Sequence, residues 1–244
     1  MQIDILPTAQ AAETYDFKGC EAVVIDVLRA TSVMTMALAN GAEAVLPVTS
    51  VEEAFASAER LGRGASVLGG ERNADRIEGF DLGNSPQDYT PARVGGKTVI
   101  LTTTNGTLAM RNAAGADVVI VASMLNRQAV VRRLANAAGG ARVVIVCSGN
   151  YGLPTLEDCL CAALLAKGVE GSGRDVTYAS DYAICVRMMA DAYERDGLSW
   201  FANSRHYNRL IAKGYAADVE VCLRHDGSMP AVPRLMADGL VRVV

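Results

Sequence analysis

The chain reads as an α/β protein: a mainly parallel sheet with helices on both faces. Three observations carry that expectation. Short apolar, β-branched runs with few polar interruptions alternate with longer stretches of helical period, the pattern of strands buried on both faces and joined by helices. Polar residues and glycines gather directly after several of those runs, at Asp26, Gly69 and Thr102, where parallel strands open into loops. Of the 244 residues 50% are hydrophobic and 20% charged, enough apolar material for a sizeable core.

Taken in order, the apolar runs place strands at Ile3–Leu6, Ala22–Val27, Ala44–Val48, Ser66–Leu68, Thr98–Thr102, Val118–Val121 and Arg142–Cys147. Between and after them, helical period places helices at Ser32–Asn40, Val51–Leu61, Gly106–Ala113, Arg127–Ala138 and Leu156–Lys167. After Asp175 the alternation stops. Tyr178–Glu194, Ser204–Lys213 and Ala217–Arg224 read as helices and Leu240–Val244 as a closing strand, giving a helix-rich C-terminal third on the same sheet. Gly171–Gly173 is too short to mark a domain boundary, so residues 1–244 are read as one domain. Val23–Ala42 and Val143–Val169 share the order strand, polar loop, capped helix. Half-repeats at about 1–125 and 126–244 would produce that order, as would any two βα units.

Composition excludes several classes. A net charge of −4 and a pI near 5.3 argue against nucleic acid as a partner. Cys20, Cys147, Cys159, Cys161, Cys185 and Cys222 form neither a C-x-x-C pair nor a zinc-spaced cluster, and read as reduced thiols. MQIDILPTAQ has no basic region followed by an apolar one, and no apolar run nears the ~18 residues of a membrane span. A cytoplasmic protein with no membrane partner is expected. A mean hydropathy of +0.18 with few charges points to a homo-oligomer.

Three segments concentrate chemistry: VVIDVLRATS (Val23–Ser32), GGERNADRIEGFDLGNSP (Gly69–Pro86) and TTTNGT (Thr102–Thr107). Carboxylates suit a hard cation, while hydroxyls, amides and helix-start N–H groups suit a phosphate. In the first, Asp26 is a charge at the end of a buried strand. It could bind metal, with Arg29 on an anion and Thr31 or Ser32 giving a hydroxyl. The plainer account makes Thr31 or Ser32 a helix cap and Asp26–Arg29 a local ion pair. The haloacid dehalogenase pattern D-x-D-x-T fails here because its second Asp is Leu28. In the second segment, Gly69–Gly70 permits close backbone approach, Glu71 and Asp81 are candidate cation ligands, and Asn84–Ser85–Pro86 is also an ordinary turn. In the third, Thr102, Thr103, Thr104, Asn105 and Gly106 form a candidate anion cradle, or simply a strand end with an Asn-Gly turn. It is not a P-loop, since no Lys follows the Gly.

In the second half, Thr155-x-x-Asp158 fits a capping box, while Glu157 and Asp158 could equally supply a metal ligand or a base. Cys147 lacks the Arg six residues on that a thiol phosphatase needs, that position being Leu153. His206 could reach a site as a proton donor, although a lone His on a helix is more often packing or surface. His225 lies in the same third.

VVIDVLRATS, GGERN with GFDLGNSP, TTTNGT and LEDC, in this order, resemble the 2-phosphosulfolactate phosphatase (ComB) family. The likeness extends through SRH, KG, Asp218 and Cys222 to Val232–Pro233 and so covers nearly the whole chain. The resemblance implies a Mg²⁺-dependent phosphatase that converts 2-phospho-3-sulfolactate to 3-sulfolactate and phosphate, on a route to coenzyme M. It implies a site lined by Asp26, Arg29, Glu71, Asp81, Asn84, Ser85, Thr102–Gly106 and Asp158. On that reading Asp26 with Asp81 or Glu71 holds Mg²⁺, and Arg29 and the threonines hold the phosphoryl group. Arg72 or Arg76 takes the substrate's carboxylate or sulfonate, and Asp158, Glu157 or His206 is the general acid or base. A non-catalytic module that binds a phosphorylated metabolite or nucleotide is the competing expectation.

Overall fold

The computed structural model describes residues 1–224, 227 and 229–243; His225 lies outside the described residues, as does the last residue of the expected closing strand. The chain forms an α/β fold. Its strands are β1 (Gln2–Leu6), β2 (Cys20–Ile25), β3 (Ala44–Pro47), β4 (Ser66–Arg72), β5 (Asp75–Arg76), β6 (Thr98–Thr102), β7 (Val118–Ala122), β8 (Arg142–Cys147), β9 (Thr177–Tyr178), β10 (Pro233–Leu235) and β11 (Val241–Val243). The helices are α1 (Ala30–Ala39), α2 (Val51–Leu61), α3 (Pro91–Val94), α4 (Gly106–Asn112), α5 (Arg127–Ala135), α6 (Leu156–Gly171), α7 (Asp181–Asp196), α8 (Arg205–Ala212) and α9 (Ala216–Cys222).

One sheet runs in the order β5-β4-β6-β3-β11-β10-β7-β2-β8-β1-β9. Strands β4, β6 and β3 are mutually parallel, as are β7, β2, β8, β1 and β9. The C-terminal hairpin β10–β11 lies between these two parallel blocks, antiparallel to β7 on one side and to β3 on the other. Alternation along each strand divides the core. Val23 and Ile25, Ile120 and Ala122, and Val143 and Ile145 turn to one face with residues of α5, α6 and α7. Ala22 and Val24, Val119 and Val121, and Val144 and Val146 turn to the other, with Val33 and Met34 of α1 and Ala109 and Met110 of α4. A smaller cluster packs Leu68 and Ile100 under Ala54 and Ala58 of α2. Period-two burial on both sides explains why the strands read as nearly unbroken apolar runs.

The structure differs from the expectations at several places, among them α3, a single turn outside the expected helices. β4 continues four residues past Leu68 and turns back through β5, so a segment without period contains a hairpin. Glycine hides it: a Cβ on Gly70, at φ +148°, would lie 2.1 Å from the Thr102 carbonyl oxygen. α1 starts at Ala30, before Ser32. β9 and β10, of two and three residues, are too short to show a period.

Candidate active site

The carboxyl ends of β2, β4, β6 and β8 meet at a cavity of about 40 Å³. A water needs roughly 10–15 Å³ of such space, so the room suits a phosphoryl-sized group. Asp26, Arg29, Glu71, Asn84, Thr103, Thr104, Asn105 and His206 all line it, from segments up to 180 residues apart in sequence.

Asp26 is the first residue past β2 and is 8% exposed. Its Oδ1 accepts from the Ala30 N–H at 3.1 Å; its Oδ2 carries no hydrogen bond among the described residues. A Cβ on Gly106 would lie 2.7 Å from that Oδ2 and 2.5 Å from the Ala30 Cβ, so only glycine lets α4 start against Asp26. Burial pushes the Asp26 carboxyl up to about 6, helped by the charges of Glu71 and Glu157 and opposed by the Ala30 N–H and by His206. Thr31 and Ser32 stand outside the cavity. Their hydroxyls donate to the Asp26 and Val27 carbonyls at 2.8 Å each, bracing the loop.

Arg29 is 2% exposed and does not pair with Asp26. Its Nη1 donates to Asp218 at 2.6 Å, its Nη2 to the Ala74 carbonyl at 2.8 Å, and the guanidinium lies 4.1 Å from the centre of the Tyr215 ring. Ser85 donates to the other Asp218 oxygen at 2.6 Å. Asp218, unassigned by sequence reasoning, thereby fixes both Arg29 and Ser85. The tail resemblance is the one sequence signal that touches it.

Glu71 is a brace between loops: Oε1 accepts from the Thr104 N–H and hydroxyl at 2.8 and 2.9 Å, and Oε2 from the Ala74 N–H at 2.7 Å. Asp81 lies away from the cavity, accepting from the Leu68 N–H at 2.8 Å and pairing with Arg63 at 3.0 Å. Among the described residues no group of three His, Cys, Asp or Glu is arranged to hold a metal ion. Arg72 points elsewhere too, towards Thr49 and the Thr102 hydroxyl, and Arg76 lines an adjoining cleft that shares Arg29, Ala74 and Asn84 with the cavity. Thr102 is buried behind the cavity. The Thr103 hydroxyl accepts from the Thr107 N–H at 3.3 Å, keeping its own proton to donate. Asn84 is buried and its Oδ1 has no partner among the described residues.

Asp158 forms no capping box; Thr155 makes no side-chain cap at the start of α6. Its oxygens accept instead from the Val27 N–H at 2.8 Å and the Gly149 N–H at 3.0 Å, tying the loop after β2 to the loop after β8. Burial, then the charges of Asp26 and Glu157, raise its carboxyl well above the usual range. Glu157, 1% exposed, holds His206 Nδ1 at 2.5 Å, which leaves Nε2 as the ring atom available at the cavity. Its second oxygen is buried without a partner among the described residues. Arg209, also unassigned from the sequence, stands one turn after His206 on α8 and lines the same cavity.

The model of the family described as 2-phosphosulpholactate phosphatase matches residues 6–237. The chain is similar to proteins named probable 2-phosphosulfolactate phosphatase from three organisms. The one from Caldanaerobacter subterraneus subsp. tengcongensis is 40% identical over 96% of this chain and 97% of the relative. For Clostridium perfringens the figures are 43%, 91% and 89%, and for Symbiobacterium thermophilum 42%, 85% and 88%. With the matching motifs gathered around one cavity, the chain belongs to the 2-phosphosulfolactate phosphatase family, a family of phosphoric monoester hydrolases.

Proposed function

We propose that the chain hydrolyses the phosphate monoester of a 2-hydroxy acid in the cytoplasm, with 2-phospho-3-sulfolactate as substrate and Mg²⁺ as cofactor. The route to coenzyme M is the one such a reaction would serve. The observation that carries the reading is that Asp26 and the Glu157-bound His206 line one phosphoryl-sized cavity. The donor set fits Mg²⁺, which takes oxygen ligands and usually one or two carboxylates beside water and phosphate. Asp26 Oδ2 and the unpartnered Asn84 Oδ1 would hold it. When bound, the ion would neutralise phosphoryl oxygens.

The remaining work falls to this chain's own groups. Arg29, held rigidly by Asp218 and Tyr215, presents its remaining N–H groups to the phosphoryl oxygens. Thr103 and Asn105 donate from the start of α4. Glu157 accepts from His206 Nδ1–H and orients the ring, and in its doubly protonated form the ring gives its Nε2 proton to the leaving alkoxide oxygen. Asp158 and Glu71 hold the loops in register and touch no substrate. A homo-oligomer remains the proposed assembly.

Phosphate release from 2-phosphosulfolactate and 2-phospholactate, with and without Mg²⁺, tests the proposal. Release only with Mg²⁺ is expected. Folded protein that releases phosphate from neither ester would leave the non-catalytic binding module as the better account.

A further inference from the structure

A second cavity, of about 400 Å³, opens beside the first and shares four lining residues with it: Asn150, Tyr151, His206 and Arg209. A cleft of about 260 Å³ meets the inner cavity at Arg29, Ala74 and Asn84, and the larger opening past His206 gives an ester whose phosphate fills the inner cavity its second way out. There the guanidinium groups differ. Arg29 is committed to Asp218 and Ala74. Arg209 is half-buried, and its guanidinium has one described contact, the Tyr151 ring 5.1 Å away. No ion pair to it exists among the described residues. His206 and Arg209 are three residues apart on α8 and therefore face the same way.

We propose that Arg209 binds the acid group of the substrate that lies beyond the ester oxygen, a carboxylate or sulfonate seated where the two cavities meet. This rests on the reading of the inner cavity as a phosphate-ester site. It gives Arg209 the role expected of Arg72 or Arg76, of which the first bonds Thr49 and Thr102 and the second lines the other cleft, and it makes Arg209 the residue that selects acid phosphates over simple monoesters. A planar guanidinium meets the paired oxygens of either acid with two parallel N–H groups. The exposed Tyr151 ring, 59% accessible, gives that fork a face to stack on. A phosphate ester lacking an acid group would gain nothing there.

Calorimetric titration of the whole protein with 3-sulfolactate, and separately with lactate, tests this without requiring turnover. Arg209→Gln should weaken 3-sulfolactate about tenfold or more, and Arg209→Lys should fall between, because it keeps the charge and loses the fork. The exposed and distant Arg195→Gln controls for net charge and should shift affinity less than about threefold. Weakening of 3-sulfolactate alone assigns Arg209 to the sulfonate; weakening of both ligands assigns it to the carboxylate. The proposal is overturned if the unaltered protein binds neither ligand, if Arg209→Gln binds as the parent does, or if Arg195→Gln loses as much. Thermal melts establish that each variant is folded. Intact phosphate release with unmoved titrations would sink Arg209 alone, whereas no release from any ester would sink the reading beneath it.

Discussion

Asp26 is a buried carboxylate facing like charges on Glu71 and Glu157, and its position costs the fold stability. Its ordinary value is 3.8 and its folded value about 6. Between these the folded chain holds a proton that the unfolded chain has released, so stability falls as pH rises through that window and stays low above it. Asp26→Asn removes the charge. In buffer with a chelator it should be more stable than the parent at pH 8 by about 1–3 kcal/mol, and the gap should close towards pH 4. Phosphate release should fall at least about a hundredfold at every pH. Urea unfolding at the two pH values checks the first half; a variant no more stable at pH 8 would show that the carboxylate is satisfied by neighbours. Gly106 poses the steric counterpart. Gly106→Ala should cost about 1–3 kcal/mol and displace Asp26, with a matching loss of turnover. Full activity in that variant would mean that α4 can retreat.

At the scale of the element, the site is a set of loops tied to one another by buried acceptors. Asp158 joins the loop after β2 to that after β8, and an amide oxygen can replace one of its two acceptors. At pH 4, where relief of a buried charge no longer favours the variant, Asp158→Asn should therefore leave one buried N–H unpaired and lower stability by about 1–3 kcal/mol; a raised melting point at that pH would refute the brace. The loops were legible in the sequence because strand ends with clustered polar residues are local features. Which partner each polar residue takes was not. Thr155 and Asp158 have capping-box spacing, yet Asp158 turns to backbone from segments 131 and 9 residues away. Asp81 sits in the same polar segment as Glu71, but the β4–β5 turn sends the two in different directions. Asp218 and Arg209 reach the site from short C-terminal helices, and their contacts to Arg29 and Tyr151 span 189 and 58 residues. Nothing in local period encodes such pairings.

For the whole molecule, the decisive feature is the hairpin β10–β11. Without β10 and β11, β7 and β3 would each expose an unpaired edge, and unpaired edges invite aggregation. Val241 is fully buried opposite Val45. The cavity straddles the same seam: Asp26 and His206 belong with the β2 block, Glu71 and Thr103 with the β4–β6 block. The hairpin is thus a structural tie that sets the spacing of groups it never touches. Deleting residues 232–244 should yield protein that aggregates or melts at least about 10 °C lower. The gentler Val241→Ala should cost about 1–3 kcal/mol. If the two blocks are held together chiefly by the hairpin, Val241→Ala should lose phosphate release several degrees below its own melting transition, because the seam opens before either block unfolds. Loss of activity coincident with melting, measured on the same samples by circular dichroism, would show instead that the two blocks and the hairpin unfold as one cooperative unit.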